Sequence, residues 1–514
     1  MKNTSIKKNF IMNAILTMSS FIFPLISFPY VSRVLMPAGT GRVAFATSIV
    51  SYFWLMAYLG VPTYGVRACA KVRDNKEKLS RTVQELLIIS SVMTVIAYAV
   101  LFAAVAMVPR LQQERTLIYV ISLEFFFYTI GIEWMYRALE QYTYITITSV
   151  ISKLVALVAM FVLIHTPDDY VIYGGLTIFA ASASYLFNFL YAPKFITLRP
   201  VGQYNFRRHF APILVFFAMS CATMIYNHLD AAMLGFMKTD VDVGYYNAAV
   251  KIKMILVSVV TSLGTVLLPR SSYYIEQGRY EEFRQIGKKA LNFVLLIATP
   301  LMLYFILYAK EGILLLSGDE YEGAILPMQI IMPTLLFIGL SNLLGIQTLV
   351  PLGREKVVLY SEIAGAVTDL VLNALLIPRY ASAGAAFGTL VAEAVVLLVQ
   401  YMALRKEMGF VFRQMPYGKI GLALVLGTAA SLLAHPLDHA LAGMAVTSWL
   451  QHLAVLAVSA ILFFGVYGVT LLLVREPLLL EIWNSLRSRV RRILKRGDSA
   501  QAEPRPDEDT KENG

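Results

Sequence analysis

Charge is scarce in this chain: Asp, Glu, Lys and Arg make up 15% of its 514 residues, while apolar types make up 58%. A soluble protein of that length could not cover its exterior with so little polar material, and a mean hydropathy of +0.64 agrees. Cysteine is nearly absent. Cys69 and Cys221 lie far apart and fit neither a metal-ligand nor a disulfide pattern. There is no Walker loop, no nucleophile–base arrangement and no nucleotide fingerprint, so neither ATP use, nor a cofactor, nor enzymatic chemistry is expected. His435 and His439 are four apart, but Pro436 between them and the missing acid argue against zinc. No cleavable signal peptide is visible, because the first apolar block, Phe10 to about Met36, is too long and lacks a cleavage site.

What is present is a series of apolar blocks of about 20 residues, the length that crosses a bilayer as helix. Their continuity excludes a β-barrel, whose strands alternate. The expected fold is an all-α polytopic membrane protein with about fourteen transmembrane helices. The spans run near 10–36, 43–64, 83–107, 117–139, 145–164 and 171–192, then 210–235, 245–268, 290–316, 325–352, 358–377 and 384–404, with a last pair at 419–434 and 449–474. With the N-terminus inside, 34 of the 44 Lys and Arg fall in inside segments and 5 in outside loops. That alternation predicts both termini cytoplasmic. The excess of bases thus belongs to short loops and the tail, and no nucleic-acid partner is expected.

A weak internal repeat divides the chain. Val34-Leu35-Met36, Gly41, Ala44 and Ala46 align with Met233-Leu234-Gly235, Gly244, Asn247 and Ala249. Leu139-Glu140-Gln141 aligns with Leu352-Gly353-Arg354, and each half carries a large inside loop, 65–82 and 269–289. The expected organisation is two six-helix lobes, 1–192 and 193–404, related by an axis along the membrane normal. An extra helix pair follows at 405–474. Residues 475–496 have the pattern of a basic amphipathic helix on anionic lipid headgroups. The polar tail, 497–514, has the composition of a disordered cytoplasmic segment.

Ionisable residues within spans are costly and usually face a partner or a wet cavity. Asp230 sits in one apolar run and Lys251 and Lys253 in the next, joined by a polar turn carrying Gly244. That turn places all three in the outer third of the bilayer, either lining a cavity or as an Asp230–Lys251 ion pair pinning two helices. The first half adds Arg33, Glu124, Glu133 and Lys153. The second adds Glu362, Asp369, Asn373 and Glu393, of which the first three share a helix face. Arg33, Lys153, Lys251 and Lys253 are candidate ligands for an anionic headgroup, though Arg33 and Lys153 could instead snorkel. The acids are candidates for cation coupling or for structural ion pairs. Gly384 and Gly388 have the spacing of close helix contact rather than of a phosphate loop.

Several ordered blocks across residues 7–410 carry a resemblance: the stretch from Ser27 to Arg81, EWMYRALEQYTYI, NHLDAAMLGFMKTDVDVGYYNAAVKIK, LPRSSYYIEQGRYEEF, PLGREK and GAAFGTL. Together they resemble the Wzx-type polysaccharide flippases of the multidrug/oligosaccharidyl-lipid/polysaccharide exporter superfamily. Met36-Pro37 departs from the family's usual Leu-Gly or Gly-Pro without evident consequence. The resemblance implies a V-shaped, two-lobed transporter in the bacterial cytoplasmic membrane. Its substrate would be an undecaprenyl-pyrophosphate-linked oligosaccharide, flipped by alternating access for surface polysaccharide synthesis. Its partners would be that polyprenyl-pyrophosphate-linked glycan, anionic membrane lipids and polysaccharide polymerase machinery, and the extra pair at 419–474 could hold a groove for the lipid tail. The alternative within the superfamily is a cation-coupled multidrug antiporter. A non-transporting scaffold would leave the intramembrane charges unexplained.

Overall fold

The computed structural model describes residues 6–262, 264–434 and 447–481, with residues 483, 484 and 487. All regular structure among them is helical. The first half comprises α1 (Ile6–Tyr58), α2 (Val61–Ala70), α3 (Lys76–Met107), α4 (Pro109–Gln113), α5 (Arg115–Gly131), α6 (Glu133–Ala138), α7 (Tyr142–Leu163) and α8 (Tyr170–Tyr191). The second comprises α9 (Arg207–Met237), α10 (Asp240–Thr261), α11 (Gly264–Glu276), α12 (Tyr280–Leu307), α13 (Ala309–Ser317), α14 (Ile325–Ile331), α15 (Thr334–Leu344) and α16 (Glu355–Arg413). Last come α17 (Tyr417–Ser431) and α18 (Ser448–Leu473). Most of the expected basic helix at 475–496, the tail at 497–514, and His435 and His439 lie outside the described residues.

Nine helical stretches among the described residues are long and apolar enough to cross a membrane, ten if the bent pair built on α14 and α15 is one span. This is a multi-pass membrane protein. Two of the nine, at 60 and 59 residues, are twice the length a bilayer needs. Each is two crossings joined at a single non-helical residue, which together with α9 and the α5–α6 pair is consistent with fourteen crossings. The sequence separates spans one and two, and spans eleven and twelve, by loops; the backbone instead stays helical through both junctions. The first break has a local cause. Met36 takes φ 59°, ψ 175° immediately before Pro37, where the proline ring drives the preceding residue out of the α region. Ala381 takes φ 45°, ψ −125°, three residues after Pro378.

The turn between α9 and α10 is Lys238–Thr239, so Gly244 lies within α10 and not in the turn. Thr239 and Asp242 form a capping box that starts α10. The two turns aligned by the repeat fold alike. Glu140 and Gly353 are both left-handed, at φ 57° and 69°. The next residue donates five positions back in each, Gln141 to Tyr136 at 2.9 Å and Arg354 to Leu349 at 2.9 Å.

The main core runs across both halves, taking Val31, Leu35 and Phe45 of α1, Ile121 of α5, Val243 and Ala249 of α10, Ile313 of α13 and Met328 of α14. Outward faces are apolar too: Val92, Val95 and Phe102 on α3 and Val158 and Val162 on α7 are exposed, as lipid-facing residues would be. The α17–α18 pair packs on α12. Tyr304 and Tyr308, at its end, donate to the carbonyls of Leu456 (2.8 Å) and Ser431 (2.7 Å).

Candidate substrate and coupling sites

The halves meet most closely where α1 crosses α10. A Cβ on Gly41 would lie 1.7 Å from the carbonyl oxygen of Asp240, and one on Gly244 would lie 2.0 Å from that of Pro37. Only glycine permits this approach, and these are the two glycines that the repeat aligns. Ion pairs reinforce the junction. Asp240, at the start of α10, takes Arg110 and, at 3.4 Å, Arg42; Arg42 also stands 3.5 Å from Glu114. Burial raises the Glu114 carboxyl above its ordinary range, with the Arg42 charge opposing.

Away from this junction, the first arm of α1 and the middle of α10 part around a cavity of about 160 Å³, lined by Ser20, Phe21, Pro24, Leu25, Phe28 and Pro29 with Lys251, Ile252, Met254, Ile255 and Leu316. That volume is far above the ~10–15 Å³ one water needs. Lys251 is its ionisable residue, and its ammonium sits over the Phe28 ring, 5.1 Å from the centroid. Lys251 has no carboxylate within ion-pair distance among the described residues. The expected Asp230–Lys251 ion pair is therefore not formed: the two side chains leave their helices toward different neighbours. Asp230 and Lys251 are nine and twelve residues from Thr239, roughly 14 and 18 Å along their helices, so both lie well away from the turn.

Two further candidate cations touch the wall of this cavity. Lys153 of α7 donates to Ser19 and Ser20, both at 2.9 Å. Arg33 donates to the carbonyls of Pro29 (2.5 Å) and Leu315, the latter at the end of α13. Ser20 and Pro29 are cavity residues, so Lys153, Lys251 and Arg33 gather along one arm of α1. Lys253 does not join them. Two residues on, it is turned about 200° around α10 and acts on Asp369 instead.

The acids form a second site. Asp230 is 5% exposed and accepts from Tyr246, from Thr389 at 3.0 Å and from Asn373 at 2.6 Å. Asp369 lies in the same cluster, yet among the described residues both its carboxylate oxygens and Asn373 Oδ1 are buried without a hydrogen-bond donor. Gly388 makes the room: a Cβ there would be 2.4 Å from Asn373 Oδ1 and 3.1 Å from Asp369 Oδ1. The Gly384–Gly388 spacing therefore does more than pack helices. Gly384 meets the Leu376 carbonyl, where a Cβ would lie at 2.7 Å, and Gly388 shapes the acid site. Glu393, 7% exposed, acts on Asp369 electrostatically, as does the facing Tyr52 of α1. Glu362 is half-buried beside the row Ser361–Gly365–Asp369–Asn373, outside the cluster. Among the described residues no three His, Cys, Asp or Glu converge as a divalent metal would need. The oxygen-rich donor set suits a proton or a monovalent cation.

In the first half, Glu133 pairs with Arg137 at 2.7 Å, and Glu124 lies in the same neighbourhood, within electrostatic reach of Tyr185. Tyr246 and Thr389 carry no site signal of their own in the sequence beyond standing within the NHLDAAMLGFMKTDVDVGYYNAAVKIK and GAAFGTL blocks, and Gly388 reads there only as a close-contact glycine.

The polysaccharide biosynthesis protein family matches residues 6–275. The chain belongs to that family. A second family, MatE, matches residues 216–375. A protein assigned as an O-antigen transporter of Escherichia coli (strain K12) is 25% identical over 408 residues, 78% of this chain and 97% of that protein. Its counterpart in Shigella dysenteriae is 24% identical over 78% of this chain and its own full length. Among solved structures, the lipid II flippase MurJ in an inward closed conformation superposes with TM-score 0.62 at 14% identity, covering 89% of this chain and 99% of that one. An inward-facing MATE family multidrug resistance transporter of the MOP superfamily gives TM-score 0.57 at 14% identity, covering 79% and 99%. The fold is that of this superfamily.

Proposed function

We propose that this chain flips a polyprenyl-pyrophosphate-linked oligosaccharide across the bacterial cytoplasmic membrane for surface polysaccharide synthesis. The observation that carries the reading is Lys251: a cation between the halves, well along α10 from its start, with the Phe28 ring for company and, among the described residues, no carboxylate within ion-pair distance. A buried charge left without its counter-ion is expensive, and an anionic headgroup supplies the missing partner. Lys153 and Arg33, on the same wall, extend the positive field. The cavity's apolar lining and lipid-facing edge suit the polyprenyl chain, which stays in the bilayer while the polar head crosses.

On this reading residues 1–192 and 193–404 are the two lobes that rock, 405–474 is the extra pair, and both termini are cytoplasmic. The Gly41–Gly244 junction and the Asp240 ion pairs then close the outer side, and the lipid-linked glycan enters from the inner leaflet. Asp230, Asp369, Asn373 and Thr389 bind the coupling proton or monovalent cation, with Lys253 as the competing internal cation. The basic segment after α18 rests on anionic lipid, and the polymerase machinery receives the product. The MatE match keeps a drug antiporter in view, but a cationic drug fits poorly in a cavity whose charge is Lys251.

Deleting the gene in its host tests this directly. Lipid-linked glycan should accumulate on the cytoplasmic leaflet, and complementation should succeed with Lys251→Arg and fail with Lys251→Ala. Normal surface glycan with new sensitivity to cationic dyes would favour the antiporter.

A further inference from the structure

We propose that Trp54, Tyr58, Tyr128 and Tyr185 form a sugar-binding subsite that holds the glycan part of the substrate; the proposal rests on the flippase reading. Trp54 and Tyr58 are four apart on the second arm of α1, so they share a face. Their ring centroids lie 4.5 Å apart, and Tyr128 of α5 is 5.2 Å from Trp54 and 5.6 Å from Tyr58. Tyr185 of α8 meets Tyr128 edge-on at 5.5 Å. Gly131 admits it, since a Cβ there would lie 2.4 Å from that of Tyr185.

Trp54 packs on one side against the main core, and the cluster is not closed over. All four residues are only half-buried, so part of each remains accessible. Their polar atoms are idle as well. The hydroxyls of Tyr58, Tyr128 and Tyr185 make no hydrogen bond among the described residues, and the indole N–H of Trp54 is buried without an acceptor. Several interior tyrosines are satisfied, Tyr98 donating to Ser122, Tyr136 to Asn188, Tyr304 to Leu456 and Tyr467 to Leu296, although the Tyr52 hydroxyl on α1 is buried without a partner. Unpaired polar groups at the edge of an aromatic surface are what a pyranose requires. Its C–H face meets the electron-rich face of a ring, and its hydroxyl rim needs donors and acceptors placed around the stack. Glu133, Arg137 and Glu124 stand within electrostatic reach of the tyrosine hydroxyls and add hydrogen-bonding capacity.

An aromatic cage can also hold an organic cation. Here Glu133 is already neutralised by Arg137 at 2.7 Å, and the unpaired hydroxyls around the rings suit a neutral, hydroxyl-rich ligand. The placement is consistent with the lipid-linked substrate. The first arm of α1 lines the Lys251 cavity and the second arm, beyond Met36, carries Trp54 and Tyr58 of the aromatic cluster, so one helix serves headgroup and glycan.

The test compares two probes on the purified full chain: undecaprenyl pyrophosphate without sugar, and the lipid-linked glycan extracted from the deletion strain. Trp54→Ala and Tyr128→Ala should weaken binding of the glycan-bearing lipid by about tenfold and leave the sugar-free lipid unchanged. Lys251→Ala should weaken both. If the alanine variants fail to fold, Tyr128→Phe and Tyr58→Phe, which keep the ring, should each still lose a few-fold on the glycan probe alone. Equal loss on both probes, or no loss on either, overturns the subsite. So does tight tetraphenylphosphonium binding that Trp54→Ala or Tyr128→Phe abolishes. A wild-type chain that binds neither probe removes the flippase reading itself, and the subsite with it.

Discussion

Asp369 buries both carboxylate oxygens one helical turn from Asn373 and beside an Asp230 that already has its donors. Two carboxylates in one site need a cation or a proton between them. Asp369→Asn should therefore abolish any dependence of transport on an imposed proton or sodium gradient, measured as glycolipid translocation in vesicles with and without the gradient. Dependence that survives intact would remove the acids from coupling. Thr389→Val, which takes one donor from Asp230, should cost about 1–3 kcal/mol in thermal or denaturant stability. At this scale the sequence was half legible. Intramembrane Asp230, Asp369 and Asn373 announce themselves because ionisable and amide groups are rare in spans. Tyr246 and Thr389 do not, since a Tyr or Thr in a span is ordinary until a neighbour is known. The pairing of Lys251 was illegible for a related reason: helix rotation decides whether it meets Asp230 or Phe28, and spacing across a turn leaves rotation open.

At the scale of elements, α1 and α10 meet through glycines and are latched by charge. Gly244→Leu should separate the helices and favour the conformation open on the opposite side, raising the reactivity of cysteines placed near residues 40 and 243 toward an impermeant maleimide. Asp240→Asn, which removes the carboxylate partner of Arg110 and one of the two of Arg42, should move the same readout in the same direction but less, by about 1–2 kcal/mol. Unchanged reactivity in both variants would show that this junction does not gate. Met36 offers a separate check. A non-glycine residue at positive φ stores roughly 1–3 kcal/mol, so Met36→Gly should raise thermal stability or leave it unchanged, whereas Met36→Val should lower it. The repeat made the two glycines visible in sequence, but not that they face each other across the lobes. The continuity of α1 and α16 was also hidden, because a proline beside a short polar stretch reads equally well as a loop or as a bent helix.

For the whole molecule, length, apolar blocks and the distribution of bases suffice for an all-helical multi-pass protein, and the repeat suggests two lobes. How the lobes meet depends on backbone approach at Gly41 and Gly244, which composition does not encode. Apposed at Gly41 and Gly244 and parted around the Lys251 cavity, they are arranged as the proposed alternating access would need. The most direct measurement is translocation of lipid-linked glycan from the deletion strain, reconstituted with the purified chain in vesicles, and followed as the fraction that an impermeant reagent can modify. Wild-type vesicles should expose the internal pool well above the rate of protein-free vesicles, Lys251→Ala should slow this at least about tenfold, and Lys251→Arg should restore most of it. Wild-type vesicles no faster than protein-free ones would contradict the account.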